Sequence, residues 1–278
     1  MIRNMEQTAI NKFCRRKELP FLEARYALNS DACYQKHSHP TFSIGVVERG
    51  TSRHYQTGQT HRIGPGAVAI TNAEVVHNCN PDMSRRWSYH MLHLDTDWLD
   101  SLAGQMQEVH GISPPDTSHL PAVLYDIELY NDIVEVNRDM QGKGSTLEIE
   151  SRLTTMMSRL LHQAGHLDSH DPIPRSHPAV KRVREFLHDS EEMAATLDEL
   201  ANIAQLSPYH LIRLFRQEVG LTPHAYQINI RVNRAKQLLR QQKPLAQIAQ
   251  ETAFSDQAHF QRCFKRHTAM TPAQYQKD

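Results

Sequence analysis

Two stretches, LDELANIAQLSPYHLIRLFRQEVGLTPHAYQINIRVNRAKQLL (197–239) and PLAQIAQETAFSDQAHFQRCFKRHTAMTPAQY (244–275), contain the same helical unit twice. A shift of 49 positions aligns identical residues: His210 with His259, Arg213 with Arg262, Phe215 with Phe264, Thr222 with Thr271, Pro223 with Pro272 and Tyr226 with Tyr275. Each copy has a short apolar helix, a tight turn and a second helix that begins at a capping residue, Ser207 or Asp256. This order of elements indicates two helix-turn-helix units in tandem.

The second helix of each unit presents a face that suits DNA. Apolar side chains at spacings i, i+3 and i+4 predict a buried stripe in each helix, made of Leu211, Leu214 and Phe215, and of Phe260, Cys263 and Phe264. The outward or flanking positions carry Arg, Gln and Lys and no acid; they include Tyr209, Ile212, Arg213, Arg216, Gln257, Ala258, Gln261, Arg262 and Lys265. Arg can pair with guanine and Gln with adenine in the major groove, and Lys suits phosphate. The alternative is a protein-binding helical bundle whose Arg and Gln form only a solvated surface.

Between the units, Thr222-Pro223 begins a helix that is apolar on one side at Ile228, Val232 and Leu239. Roughly 18 residues at about 1.5 Å each make a rod of about 27 Å. With side chains added, this rod could hold two reading helices about 34 Å apart, which is one turn of duplex DNA. One chain could therefore engage two successive major-groove segments.

The two quoted stretches resemble the AraC/XylS family of bacterial transcription regulators almost continuously. The resemblance implies that bases are contacted by early positions of the two reading helices, which here are Tyr209, Ile212, Arg213, Ala258, Gln261 and Arg262. Two positions depart from the family pattern, because Ala253 and Ala269 stand where the family usually has Gly. If the backbone at Ala269 needs positive φ after the helix, the alanine is strained there.

Charge is divided unevenly along the 278 residues. The whole chain balances 31 basic against 31 acidic side chains, but from residue 200 onward the balance is 11 against 4. Residues 1–170 carry 16 basic and 20 acidic side chains, so only the back of the chain is expected to meet nucleic acid. The four cysteines show no CxxC, and the N-terminus has no apolar run. We therefore expect a reduced cytoplasmic protein without signal peptide or membrane span, in which Cys33 or Cys79 is either a redox sensor or an inert thiol.

The front of the chain has the alternating sequence pattern of a β-domain. After a charged arm or edge segment at 1–20, short alternating runs predict strands at 21–28, 42–48, 52–55, 59–63, 67–71 and 87–94, separated by turns rich in Gly and Pro. This pattern is typical of a small antiparallel barrel or a jelly roll. HSHPTFSIGVVERG, followed by GPGAVAITNAEVVH, resembles the cupin-like ligand-sensing half found in many members of the same family.

Three histidines, His37, His39 and His77, are expected to meet in this barrel. Three imidazoles suit Zn²⁺, Ni²⁺ or non-haem iron. However, the carboxylate that enzyme-type cupins place three or four residues after the second His is replaced here by Phe42 and Ser43. The alternatives are a polar ligand pocket that uses the histidines, with Arg53 and Tyr55, for an anionic or amino-acid-like effector, and histidines bonded only to backbone. His90 and His93 lie on opposite faces of their strand, so at most one of them can join the site.

Helical patterns follow at 98–109, 123–140 and 147–163, the last opened by a capping box of Ser145 and Glu148. Its apolar stripe includes Ile149, Leu153, Met156 and Leu160. The resemblance implies that such helices pack on the barrel and supply a homodimer interface; the alternative is simple packing on the chain's own barrel. A proline-rich segment at 165–178 is the expected linker.

Together these features predict an α+β two-domain protein. Residues 1–164 form a cupin-like antiparallel β-barrel with appended helices, and 179–278 form an all-α domain with helix-turn-helix units at about 197–218 and 245–267 and a linker helix at about 223–241. The expected function is a non-enzymatic, dimeric transcription regulator, an activator by resemblance, with promoter DNA, RNA polymerase and a small effector as partners. The rivals are a metal-sensing or enzymatic cupin fused to a DNA-binding domain, and a ligand-free regulator whose barrel only dimerises.

Overall fold

The computed structural model describes residues 9–82, 86–110, 120–142, 144–164, 176–189 and 194–277. Its described residues form a front domain of strands and helices up to Ala164 and a helical back domain from Pro178 onward. This α+β arrangement agrees with the sequence prediction. The predicted linker at 165–178 lies mostly outside the described residues.

Alternating apolar residues form two antiparallel sheets in the front domain. One sheet has the strand order β1-β2-β8-β3-β6-β9 and the other has the order β5-β4-β7. The strands are β1 Ile10–Arg15, β2 Leu22–Ser30, β3 Phe42–Arg49, β4 Ser52–Gln56, β5 Gln59–Ile63, β6 Val68–Thr71, β7 His77–Pro81, β8 Trp87–Leu94 and β9 Val123–Leu124. The described strands thus form two antiparallel sheets, which agrees with the predicted antiparallel β-domain with appended helices.

Two strands were not predicted as strands. The charged arm forms β1, which lies at an edge of the larger sheet and pairs with β2 from Ile10↔Leu28 to Arg15↔Glu23. The segment 77–81 lies outside the predicted strands, and it pairs with β4 as β7. Pro81 sits at the end of this strand, where a missing N–H is tolerated.

Three helices complete the front domain within its described residues: α1 Thr96–His110, α2 Ile127–Gln141 and α3 Thr146–Ala164. The predicted helix at 123–140 begins later than expected, because Val123 and Leu124 pair with β6 and Asp126 caps α2 by accepting from the Leu129 amide. The Ser145–Glu148 capping box is confirmed by reciprocal 3.2 Å bonds.

The apolar stripe of α3 is buried within this chain, with Ile149, Leu153 and Met156 fully inaccessible. These residues belong to one core cluster with the inward side chains of β2, β3 and β8. The predicted packing of this helix on the chain's own β-domain is therefore confirmed.

The back domain contains seven helices within its described residues. They are α4 Pro178–Asp189, α5 Leu197–Ala204, α6 Pro208–Val219, α7 Pro223–Arg240, α8 Leu245–Glu251, α9 Gln257–Thr268 and α10 Pro272–Lys277. The pairs α5–α6 and α8–α9 are the two predicted helix-turn-helix units, and α7 is the linker helix. Their cores are separate clusters, one around Leu211, Phe215 and Tyr226 and the other around Phe260 and Phe264.

Both alanines that replace the family's glycines adopt left-handed backbone. Ala253 has φ 53° in the turn of the second unit, and Ala269 has φ 57° as the C-cap of α9. The predicted strain at Ala269 therefore exists, and Ala253 shares it. At the corresponding C-cap of α6 the residue is Gly220, with φ 82°, which tolerates this conformation.

Candidate DNA interface and histidine cavity

The reading helices α6 and α9 are positioned by caps at one end and apolar anchors along one side. The Ser207 hydroxyl accepts from the His210 amide at 3.3 Å, and the Asp256 carboxylate accepts from the His259 amide at 2.6 Å. The apolar anchors are completely buried: Leu211, Phe215, Phe260 and Phe264. Each helix is therefore held from beneath, which fixes the direction of its opposite face.

That opposite face is open to solvent at nearly all the predicted contact positions. Tyr209 is 76% exposed and Ile212 is half-buried. The remaining predicted positions are all exposed: Arg213, Arg216, Gln257, Ala258, Gln261, Arg262 and Lys265. The front domain covers neither face, so both are free to approach a duplex.

The basic side chains on these faces are not neutralised by neighbouring acids. Within the described part of the chain, Arg213, Arg216, Arg262 and Lys265 form no ion pair within 4.0 Å. The one acid of α6, Glu218, instead accepts from the Ser176 hydroxyl and the His177 amide. Unpaired cations on an exposed helix face are what phosphate and guanine require.

The three predicted histidines meet between the sheets. His37 and His77 form a β-bridge through their backbones, at 2.9 and 3.0 Å, which ties the segment before β3 to the start of β7. The ring centroid of His77 lies 4.5 Å from that of His37 and 4.7 Å from that of His39. One nitrogen from each of the three imidazoles lies within 4.8 Å of the others.

Each of these imidazoles is oriented by a backbone carbonyl two residues away. Nδ1 of His37 donates to Gln35 O at 2.8 Å, Nδ1 of His39 to Thr41 O at 2.9 Å and Nδ1 of His77 to Val75 O at 2.9 Å. Because a carbonyl only accepts, Nδ1 carries the proton in all three rings. The lone pair is therefore left on Nε2 in each case.

Burial keeps this cluster uncharged. Desolvation, together with the repulsion that a charged ring would meet from the other histidines and from Lys236, holds the pKa of His37 and of His39 well below the ordinary value. Burial also lowers the pKa of His77 to about 4 and that of His93 to about 3. Neutral imidazole is the form that binds metal ions.

The cavity beside the histidines is small and is lined by polar and aromatic side chains. Its volume is about 60 Å³, and its wall includes Arg25, Tyr34, His54, Trp87 and Tyr89. The Tyr34 and Tyr89 hydroxyls lie 2.7 Å apart, and Arg25 donates to Tyr34 at 2.6 Å. Trp87 Nε1 and His54 Nε2 are buried without a hydrogen-bond partner among the described residues. A cavity of this size has room for a few water-sized groups, whereas organic ligand pockets usually need roughly 300 Å³ or more.

The structure does not bring Arg53 and Tyr55 into this cavity. Arg53 pairs with Asp82 on the outer surface at 2.9 Å, and the Tyr55 ring lies 3.5 Å from Lys36 Nζ. The reason is the two-residue period of β4, which turns Ser52, His54 and Gln56 inward and their neighbours outward. The same period explains two cavity residues that sequence reasoning missed, His54 on β4 and Cys79, which follows His77 at i+2 on β7.

Of the pair on β8, His93 joins the cavity and His90 faces away from it. His93 Nδ1 lies 2.6 Å from the Ser43 hydroxyl, while His90 lies 3.6 Å from Glu48. The prediction that at most one of these two histidines could join the site is thus consistent with the structure.

The histidine cavity lies against the contact between the two domains. Ser38, between His37 and His39, donates its amide to Asn229 Oδ1 at 3.1 Å and accepts from Asn233 Nδ2 at 2.9 Å through its carbonyl. Lys236, further along α7, is half-buried near the same histidines, and desolvation lowers its pKa to about 8. These residues make one face of the linker helix a contact surface for the front domain.

The front domain also contributes one apolar side chain to each helix-turn-helix core. Val76, next to His77, packs in the cluster of the first unit, and Phe13 of β1 packs in the cluster of the second. The Phe13 and Tyr275 rings meet edge to face at 5.0 Å. Both DNA-reading units are therefore held by the same domain that holds the cavity.

Two family models match the chain. The AraC-like ligand binding domain matches residues 22–157, and a Helix-turn-helix domain matches residues 200–278. The chain is 29% identical over 230 residues to the uncharacterized HTH-type transcriptional regulator YbfI of Bacillus subtilis, covering 81% of each chain. It is 26% identical to the HTH-type transcriptional activator RhaS of Shigella sonnei, covering 87% of each. Among solved structures, a single-substitution variant of apo ToxT from Vibrio cholerae matches with a TM-score of 0.59 at 12% identity, over 92% of this chain and 97% of that one.

None of the described helices combines the length and the apolar character that a membrane span needs.

Proposed function

Since the chain belongs to the AraC/XylS family of transcription regulators, with an N-terminal ligand-binding domain and a C-terminal DNA-binding domain, we propose that α6 and α9 read promoter DNA directly. The observation that carries this proposal is the pair of exposed, unneutralised reading faces on helices whose other sides are buried. In this proposal the bases are contacted by Tyr209, Ile212, Arg213, Ala258, Gln261 and Arg262. The sugar-phosphate backbone or the groove edge is contacted by Arg216, Gln257 and Lys265.

The experiment is a binding measurement on the full chain. DNA fragments retained by the protein from a random library would be labelled, and their binding followed by fluorescence anisotropy. The double variant Arg213→Ala with Arg262→Ala should bind these fragments at least about 30-fold more weakly, because two base-contacting side chains worth about 1 to 3 kcal/mol each are lost. Arg138→Ala is the control, since it removes one arginine from an exposed ion pair with Glu135 in the front domain. Equal affinity of the double variant and the control would contradict the assignment.

The proposed outcome of binding is activation through contacts to RNA polymerase, at a promoter and therefore in the cytoplasm. The relative from Shigella sonnei is named a transcriptional activator, and this supports the direction of the effect. The relatives with printed roles are regulators, which also supports a non-catalytic front domain. A reporter gene placed behind a retained fragment should rise in expression when the protein is supplied; a fall would identify a repressor.

We further propose that the working unit is a homodimer that binds a small effector through the front domain. Two chains would lengthen the DNA site and strengthen binding by raising the effective concentration of the second chain. Because the α3 stripe is buried, the dimer contact would use the outer faces of α2 and α3. On this surface Arg152 and Arg159 of α3 pair with Asp132 and Glu128 of α2. Sedimentation velocity should give twice the mass of one chain, about 64 kDa in total from 32.0 kDa each.

A further inference from the structure

We propose that His37, His39 and His77 bind a divalent transition-metal ion, and that the segments holding this ion transmit its presence to the linker helix α7. The ion would be of the class that prefers imidazole ligands, such as Zn²⁺ or Ni²⁺. The first support is convergence: one nitrogen from each ring lies within 4.8 Å of the others.

The second support is the orientation of the rings. All three imidazoles donate Nδ1–H to a backbone carbonyl, at 2.8 to 2.9 Å, and so expose an unprotonated Nε2. Metal-binding histidines characteristically donate their second nitrogen in this way, which fixes both tautomer and ring orientation.

The spacing requires only a modest adjustment for coordination. Zn–N bonds of about 2.0–2.1 Å put ligand nitrogens about 3.4 Å apart in a tetrahedron, so side-chain movements of about 1 Å would close the site. Two further polar side chains lie beside His39: the ring centroid of His93 is 5.3 Å from that of His39, and the Ser43 hydroxyl is 3.4 Å from His39 Nε2. Three protein ligands leave one position for water or a small exogenous ligand, and the 60 Å³ cavity has room for either.

The route to the linker helix runs through the residues adjacent to the ligands. Ser38 lies between two of the proposed ligands and is hydrogen-bonded to Asn229 and Asn233 of α7. Val76 precedes the third ligand and packs in the core of the first helix-turn-helix unit. Movement of either ligand segment on coordination therefore displaces a contact with the DNA-binding domain.

The positive charge of Lys236 predicts that metal binding weakens the contact between the two domains. Lys236 of α7 is half-buried, and its charge acts on all three histidines. Glu23 partly offsets this charge, but within the described residues Lys236 forms no ion pair within 4.0 Å. A divalent ion held by the histidines would repel this ammonium group across a poorly solvated contact. Metal binding would thus weaken the contact of the front domain with α7 and free the two reading helices to adjust to DNA.

The site is tested by titrating Zn²⁺ into metal-stripped full-length protein, with affinity measured by competition against a chromogenic chelator. One site per chain is expected, and His39→Gln and His77→Gln should each weaken it at least about tenfold. His37→Gln tests the same site at a half-buried position, where a substitution threatens folding least. His90→Gln is the matched control, because His90 is equally buried but faces Glu48. Circular dichroism would verify that each variant is folded.

A Zn²⁺ site that all four folded variants bind equally, or no site at one equivalent, would overturn the proposal. The coupling is tested by Lys236→Gln, which should tighten Zn²⁺ binding by about 3- to 10-fold because it removes the repelling charge. Arg234→Gln removes the same charge from an exposed position on the same helix and should leave affinity unchanged. Equal Zn²⁺ affinity in these two variants would show that the bound ion does not act on α7 through Lys236. Neither measurement uses DNA, so both stand apart from the proposed reading of a promoter.

Discussion

Glu23 of β2 and Arg240 of α7 form a 2.8 Å ion pair that joins the two domains. The same carboxylate oxygen accepts from Arg15 at 2.5 Å and from the Tyr275 hydroxyl at 3.0 Å. Burial by itself would raise the pKa of Glu23, but Arg15 and Arg240 hold that pKa well below its ordinary value of 4.5. One buried carboxylate thus compensates cations from both domains.

We expect Glu23→Gln to lower the free energy of unfolding by about 3 kcal/mol, because removing the shared partner leaves two partly buried guanidinium groups uncompensated. The measurement is chemical denaturation followed by circular dichroism. Glu135→Gln, which breaks an exposed pair with Arg138, should cost less than about 1 kcal/mol. A loss from Glu23→Gln no greater than that of the control would show that the domain contact does not depend on this carboxylate.

The pH dependence of stability should change in the same variant. Because the pKa of Glu23 is lowered by folding, its contribution is fully present above 4.5 and is lost as pH falls from there toward the folded pKa. The wild-type protein should therefore lose stability more steeply below pH 4.5 than Glu23→Gln does. Parallel stability curves for the two proteins on the acid side of this value would contradict the expectation.

Replacing Arg262 or Lys265 with Ala should weaken DNA binding in different ways. Loss of Arg262 should cost about 1 to 3 kcal/mol in binding free energy and relax the preference at one base position, because its guanidinium suits guanine. Loss of Lys265 should weaken binding to all sequences alike and reduce the salt slope by about 1. Anisotropy titrations against single-base variants at several salt concentrations separate the two effects. If Arg262→Ala leaves the base preference unchanged, Arg262 contacts phosphate and not a base.

Replacing Ala253 with Gly should stabilise the protein. Ala253 has φ 53°, where a Cβ costs roughly 1–2 kcal/mol and glycine costs less, so a gain of about 0.5 to 1 kcal/mol is expected. Ala246→Gly, at an exposed position inside α8, should have the opposite sign and cost about 1 kcal/mol. Denaturation midpoints of the two variants test the sign directly; a loss of stability in Ala253→Gly would refute strain at the turn.

The two thiols considered as redox sensors should differ in reactivity. Burial raises the pKa of Cys79 to about 12, so almost none of it is thiolate near neutral pH. Cys33 is exposed. In native protein under mildly alkaline conditions, iodoacetamide should modify Cys33 within the reaction time and leave Cys79 untouched until denaturant is added. Mass spectrometry of digested samples identifies the site, and rapid native labelling of Cys79 would restore it as a sensor candidate.

Local patterns in the sequence were sufficient to locate the back domain. The reading helices of both units begin where the caps Ser207 and Asp256 predict, because a cap and the period of buried residues act within a few positions along the chain. Two front-domain strands were harder to predict. The charged edge strand β1 and the polar strand β7 have weak local patterns and form only because partner strands supply their hydrogen bonds.

The sequence by itself determined the family, the tandem reading helices and the presence of three histidines that could share one site. Only the tertiary structure decided that the three histidine rings meet, that Arg53 and Tyr55 face away from them, and that the α3 stripe is covered by its own domain. It also placed Val76 and Phe13 in the cores of the DNA-binding units. These outcomes depend on contacts between residues far apart in the chain, as between Ser38 and Asn229, and no periodicity within a single element encodes such a contact.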